Sequence, residues 1–287
     1  PDLEVLVAWL LSCGVDTVAM ESTGVYWIPV FDLLEKRGIH CCLVNASHIK
    51  HVPGRKSDVI DCQWLQKLHS LGLLTASFRP EADIRALRIL LRHRAQLIEH
   101  RAPHTRSVQL QKALQQMNLQ LHHVLADITG STGLQILRAI IAGERNPLVL
   151  ARFRHPACKS SQETIVKALT GTWQDELLFV VRQSLELFDY YSAQIETCNT
   201  EIERNFSAIK PRWQPPADLP TLPPVKPGSK SKNKPAPSTR QWLFHLTGVD
   251  LVAVEGISAN LAQTILSEIG TDMSRFPNVK HFWVVSQ

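Results

Sequence analysis

With 287 residues, 44% of them hydrophobic and 20% charged, the chain is long enough for about two domains and carries too much apolar side chain for wholesale disorder. It has no uninterrupted apolar run of about 18 residues, which excludes a transmembrane helix, and Pro1-Asp2-Leu3-Glu4 reads as an internal start rather than a signal peptide. The formal charge of +5 points to a polyanionic partner. The six cysteines, with no C-x-x-C pair among them, fit a reduced, cytoplasmic protein better than a zinc protein.

In chain order, Leu3–Ser12 has the period of a helix, closed by Gly14. Val15–Glu21 is a short apolar run ending in a carboxylate, the pattern of a buried parallel strand. Gly24–Arg37 is an amphipathic helix stopped by Gly38, and Cys41–Ala46 is a second strand. Strand, helix and strand within about 30 residues make a βαβ unit with parallel strands. A loop at His48–Lys56 then leads into a helix from Ser57 to Leu71. Beyond Arg79 the helical period takes over, so the expected fold class is α/β followed by all-α.

Trp173–Ile209 reads as one long helix. Leu178, Val181, Leu185, Phe188, Ser192, Ile195, Asn199, Ile202 and Phe206 recur at alternating spacings of three and four, the coiled-coil repeat. A second subunit is the expected partner for this 178–206 seam, giving a homo-oligomer; a hairpin within one chain would satisfy the same pattern. Pro211–Pro237 holds nine of the 17 prolines and reads as an extended linker, after which a small helical segment begins. The expected divisions are 1–102, 103–210, 211–240 and 241–287.

Charge is concentrated in two blocks. Residues 205–240 carry seven Lys/Arg against Asp218, and Arg79–Lys112 carries eight Lys/Arg against three acids. In the second block Arg85, Arg88, Arg92 and Arg101 alternate with leucines, which suits a helix with one face in a core and the other along a phosphate backbone, DNA or structured RNA. Pro103 should kink or break that helix. In the linker, Lys230, Lys232 and Lys234 are further phosphate-contact candidates, as are Arg55 and Lys56 ahead of the 57–71 helix. For each block the plain alternative is a solvated surface. Trp9, Trp27 and Trp64 are expected in a core rather than as base-stacking platforms.

Three carboxylates could carry chemistry. Glu21 sits where a parallel strand hands over to its helix, the edge at which open α/β sheets place ligands. Asp58 and Asp61 share one face at a helix start, where acids also complement the helix dipole without further purpose. Hard oxygen donors meeting at one sheet edge suit Mg²⁺ or Mn²⁺, the ions that position phosphodiesters.

The segments MESTGVYW (Met20–Trp27), VNASHIKHVPGRKSDVIDCQWL (Val44–Leu65) and SEIGTDMSRFPNVKHF (Ser267–Phe282) resemble the transposases of insertion sequence family 110. The resemblance implies a RuvC-like (RNase H-type) domain, here incomplete at its N-terminal strands, then a helical coiled-coil region and a small helical C-terminal fragment. It implies a DEDD carboxylate set in which Glu21 is the glutamate and Asp58 and Asp61 the paired aspartates, with a divalent metal cofactor. It also implies DNA and a structured guide RNA as partners, no membrane, and a nucleoid-associated cytoplasmic location. The family's first aspartate has no counterpart here, and Ser286 does not match the motif of its serine nucleophile. The expectation is therefore a truncated copy that cannot complete recombination, or a non-catalytic nucleic-acid-binding remnant. Leu251–Gly270 further resembles a helix-hairpin-helix, in which Gly256 and Ser258 would approach a phosphate.

Overall fold

The computed structural model describes residues 2–45, 58–105, 108–211, 213–214, 222–223, 233–276 and 278, and all that follows refers to these. They fall into two compact units, residues 1–80 with 274–287, and residues 81–273.

In the first unit, helix α1 (Asp2–Ser12) opens with Asp2 and Glu4, acids that complement the positive end of the helix dipole. Strand β1 (Thr17–Glu21), helix α2 (Trp27–Lys36) and strand β2 (His40–Val44) follow in the expected order. The strands pair in parallel, from Thr17 opposite His40 to Glu21 opposite Val44. Beside the sheet, Ser77 N–H donates to Leu43 O at 2.6 Å, so the extended chain after helix α3 (Asp58–Ser70) runs along β2. With partners on both edges β2 buries Cys42, Leu43 and Val44, whereas no residue of β1 is buried. Val7, Leu34 and Ile39 form the unit's small buried cluster, where α1 and β2 both pack on α2. Trp9 is not in that core: it stands 59% exposed on α1, against expectation. The apolar face of α1 is shared out, with Val7 turned inward and Leu3, Val5, Leu6 and Trp9 outward.

The second unit is helical: α4 (Ala82–Thr105), α5 (Val108–Gln116), α6 (Leu121–Val124), α7 (Ser131–Ile141), α8 (Pro147–Leu150), α9 (Gln162–Ala168), α10 (Asp175–Ala208), α11 (Thr239–Thr247) and α12 (Ala259–Ile269). Pro103 sits inside the last turn of α4, which continues past it to Thr105. Helix α10 has 34 residues, about 51 Å at 1.5 Å per residue, and it threads two separate cores. Its N-terminal half gives Val181, Leu185 and Phe188 to a core with Leu114, Met117, Ile136 and Ile140. Its C-terminal half gives Ile195, Cys198, Ile202 and Phe206 to a core with Leu87, Leu91, Leu243 and Leu266. Gly133 lets α7 approach the preceding turn, since a Cβ there would fall 2.0 Å from Ile128 O.

The seam of α10 is therefore covered from within the chain, chiefly by α4 and α5, and the expectation that a second subunit fills it is corrected. Of the nine seam residues, Val181, Leu185, Phe188, Ile195, Ile202 and Phe206 are buried. Cys198, rather than Asn199, is the buried residue between Ile195 and Ile202. Asn199 lies beside it and accepts a hydrogen bond at 2.6 Å from Nε of Arg94, a guanidinium only 4% exposed. The long basic helix also belongs with this helical unit and not with the sheet.

Where described, the proline-rich stretch is fastened to the second unit. Trp213 donates from Nε1 to His245 O at 2.8 Å, and Arg94 Nη2 donates to the carbonyls of Asn233 and Lys234 at 3.1 and 3.0 Å. No helix among the described residues is long and apolar enough to cross a membrane.

Candidate functional site

Glu21 closes β1 at the carboxyl end of the parallel pair, where its side chain is exposed. The turn after it is well determined by its own contacts. Ser22 N–H donates to Val44 O at 2.9 Å, carrying the ladder one residue past the strand, and Thr23 Oγ1 donates to Glu21 Oε1 at 2.5 Å. Gly24 takes φ +63°, a left-handed value that a residue with a Cβ adopts at a cost. Trp27 Nε1 then donates to Gly24 O at 3.2 Å, tying the turn to the first residue of α2.

Trp27 is held in turn. It meets Phe31 edge-on, ring centroids 5.8 Å apart, and the Arg79 guanidinium lies 5.3 Å from the Trp27 centroid and 4.1 Å from that of Phe31. The Arg79 side chain is only 10% exposed, donates from Nη2 to Asp32 Oδ1 at 2.6 Å, and leaves Nε without a hydrogen-bond partner, facing ring surface instead. Burial and the nearby Glu35 carboxylate push the Cys41 thiol up to about 11, so it stays protonated at neutral pH and is no nucleophile.

Asp58 and Asp61 are exposed in the first turn of α3, and α3 packs on β1. The far end of α3 is anchored by a 3.0 Å hydrogen bond between His69 Nε2 and Thr17 Oγ1, at the start of β1. The donor set fits a hard divalent ion: three carboxylates, with the imidazole of α3 occupied at the opposite end. Among the described residues no group of three or more His, Cys, Asp or Glu is already gathered as a metal-holding cluster, so the three carboxylates are not brought together as one.

The arginines singled out for phosphate contact are engaged inside the second unit. Arg88 donates to the carbonyls of Ser267 and Glu268 at 3.0 and 2.7 Å, capping the C-terminal end of α12, and burial lowers its affinity for the proton. Arg92 forms a forked pair with the Glu268 carboxylate at 2.9 to 3.2 Å. Arg101 donates to Ser192 Oγ at 3.1 Å and Asn233 Oδ1 at 2.6 Å. Arg85 is half-buried on the same helix, and Lys234 is exposed while its carbonyl serves Arg94. Arg55, Lys56, Lys230 and Lys232 lie outside the described residues.

The hairpin between α11 and α12 has Gly256 at φ +87° with open space where a Cβ would be, and Ser258 as the N-cap of α12. The Ser258 hydroxyl accepts from Leu261 N–H at 3.2 Å, satisfying its own helix end.

The contacts of Thr23, Arg79 and Arg94 escaped the sequence reading. Arg94 had a visible signal, because Leu87, Leu91, Arg94 and Ile98 share the three-four spacing of an inward face. Arg79 had none, since its partners in α2 lie more than forty positions away.

Residues 1–119 match the IS110-type DEDD family model, described as a transposase. Among curated proteins no match is found.

Proposed function

We propose, from the match of residues 1–119 to the IS110-type DEDD transposase family, that the first unit of this chain is the metal-dependent, RuvC-like part of an enzyme that cuts and rejoins DNA under the guidance of a structured RNA. In this reading Glu21, Asp58 and Asp61 hold one divalent cation, Mg²⁺ or Mn²⁺. The cation supplies charge neutralisation at a scissile phosphate.

The chain's own residues do the positioning. Thr23, by donating to Oε1 of Glu21, orients the carboxylate and leaves its other oxygen as the stronger donor. The Trp27–Phe31–Arg79 stack fixes the turn from which Glu21 projects. The observation that carries the reading is the placement of the MESTG glutamate at the carboxyl end of β1, with the D-x-x-D pair on a helix packed against that strand. Rise per residue supports it. Asp61 to His69 spans eight residues, about 12 Å of helix, and Thr17 to Glu21 spans four, about 13 Å of strand. From the His69–Thr17 hydrogen bond the two lengths match, and the proposal requires the helix to run antiparallel to β1, with the cation drawing Asp58 and Asp61 to Glu21.

DNA and the guide RNA are proposed to bind through the net positive charge of the chain, with the α4 arginines holding the scaffold rather than supplying most of the phosphate contacts.

Titration of the protein with Mn²⁺, read by electron paramagnetic resonance, tests the metal assignment. Glu21→Gln and the double change Asp58→Asn/Asp61→Asn should each weaken binding by about tenfold or more. Unchanged Mn²⁺ affinity in both variants would remove the metal site from these residues.

A further inference from the structure

Tyr26 is 87% exposed, more than any other large apolar or aromatic side chain among the described residues, and its neighbour Val25 is 66% exposed. An aromatic ring left this open is normally buried for the area it removes from water. Yet the backbone beneath it is held more firmly than a loop requires. Glu21, Thr23, Gly24 and Trp27 form the linked turn described above, clamped from below by Arg79. One edge of the Tyr26 ring lies on the side of Gly24, where a Cβ placed on that glycine would be 3.5 Å from Cδ2 and 3.7 Å from Cε2. The ring thus stands on the turn that begins at Glu21, five positions along the chain, with most of its surface in solvent.

We propose that Tyr26 is a stacking platform for an unpaired nucleobase of the DNA strand whose phosphate is processed at Glu21. The inference rests on the nucleic-acid reading above and adds a base contact to it. A paired base offers a protein only its edge, so a flat ring displayed beside a phosphodiester-processing carboxylate matches a base that has left its stack. Val25 extends the apolar contact on the same turn. Stacking of this kind tolerates any base, because every base has a π-face. A protein partner would call for an apolar patch of several residues closing over the ring. Here the residues that precede it in the same turn are polar, Glu21, Ser22 and Thr23, and with Mg²⁺ at the carboxylate these suit the sugar-phosphate flank of a nucleotide.

The test uses the full chain with Mg²⁺ and two labelled probes, a single-stranded oligothymidylate of about 20 nucleotides and an abasic strand of the same length, followed by fluorescence anisotropy. Tyr26→Ala should weaken thymidylate binding by about tenfold, within the range that loss of one base–aromatic stack produces. Tyr26→Phe should stay within about twofold of the unaltered protein, because the π-face is kept. On the abasic strand Tyr26→Ala should change nothing. The proposal is overturned if Tyr26→Ala binds thymidylate like the unaltered protein, if it loses equally on the abasic strand, or if Tyr26→Phe is as weak as Tyr26→Ala. Should the unaltered chain bind neither probe, the nucleic-acid reading falls and the platform with it. If it binds both and Tyr26 is silent, the platform alone falls.

Discussion

The two units treat their apolar side chains in opposite ways. In the first, Leu3, Val5, Trp9, Val59 and Ile60 are exposed, and the buried cluster gathers around Val7, Leu34 and Ile39. In the second, two extended cores close around one long helix, with Leu114, Ile136, Val181 and Phe206 removed from water. Hydrophobic stabilisation scales with area buried, so most of the folding free energy lies in the helical unit. The candidate metal carboxylates and the displayed Tyr26 are in the thinner one, where local opening costs least. A site that must admit a polymer gains from such a setting, and the helical unit can keep the chain folded while that happens.

The largest expected effect tests this division directly. Phe206→Ala should lower the stability of the helical unit by about 3–5 kcal/mol, read from urea denaturation followed by circular dichroism. Leu34→Ala should leave that transition in place and raise amide exchange only within residues 2–45. An equal shift of the main transition by Leu34→Ala would erase the distinction between the units.

Next in size is the polar joint inside the second unit. Arg94→Leu removes a charged donor from Asn199 and from two linker carbonyls and should cost about 1.5–3 kcal/mol. Adding Asn199→Leu should recover part of it, since the half-buried amide oxygen that Arg94 served is then gone. Strict additivity of the two changes would show that Arg94 and Asn199 do not act together.

The smallest effect is electrostatic. Asp250 pairs with Arg240 between α11 and the turn that follows it, and the hydrogen bond and charge of Arg240 hold its carboxyl below the ordinary value of 3.8. A depressed carboxyl contributes stability that is fully present above its unfolded value. That contribution is lost as pH falls through the lower, folded value. Asp250→Asn should therefore flatten the acid limb of a melting-temperature profile below about pH 4 and change little at neutral pH. A profile that moves equally at all pH values would assign the effect to geometry instead of charge.

The sequence showed the order of β1, α2 and β2 because Thr17–Glu21 and His40–Val44 are short apolar runs divided by an amphipathic stretch, a pattern with few other solutions. It showed the period of α10 as well, but periodicity carries no information about what faces the seam. Cys198 and Asn199 both satisfy a three-four spacing, and only the position of Arg94, 105 residues earlier, decides between them. The charge count misled for a related reason. An arginine that caps a helix and one that waits in solvent contribute equally to a net charge, and the carbonyl that receives Arg88 lies 180 residues away. At the candidate site Glu21, Asp58 and Asp61 were nominated by their motifs alone. The Thr23 hydrogen bond and the exposure of Tyr26 depend on the geometry of a five-residue turn, which motif and composition do not specify.

Helix α10 also constrains how the gene for this chain can vary. Because one unbroken helix serves both cores, inserting a single residue between Phe188 and Ile195 would turn one half about 100° against the other and carry every downstream knob off its hole. Substitutions there are absorbed one side chain at a time, whereas changes in length are not. Insertions and deletions in this stretch should survive only in steps of about seven or eleven residues, which return the helix to nearly the same face.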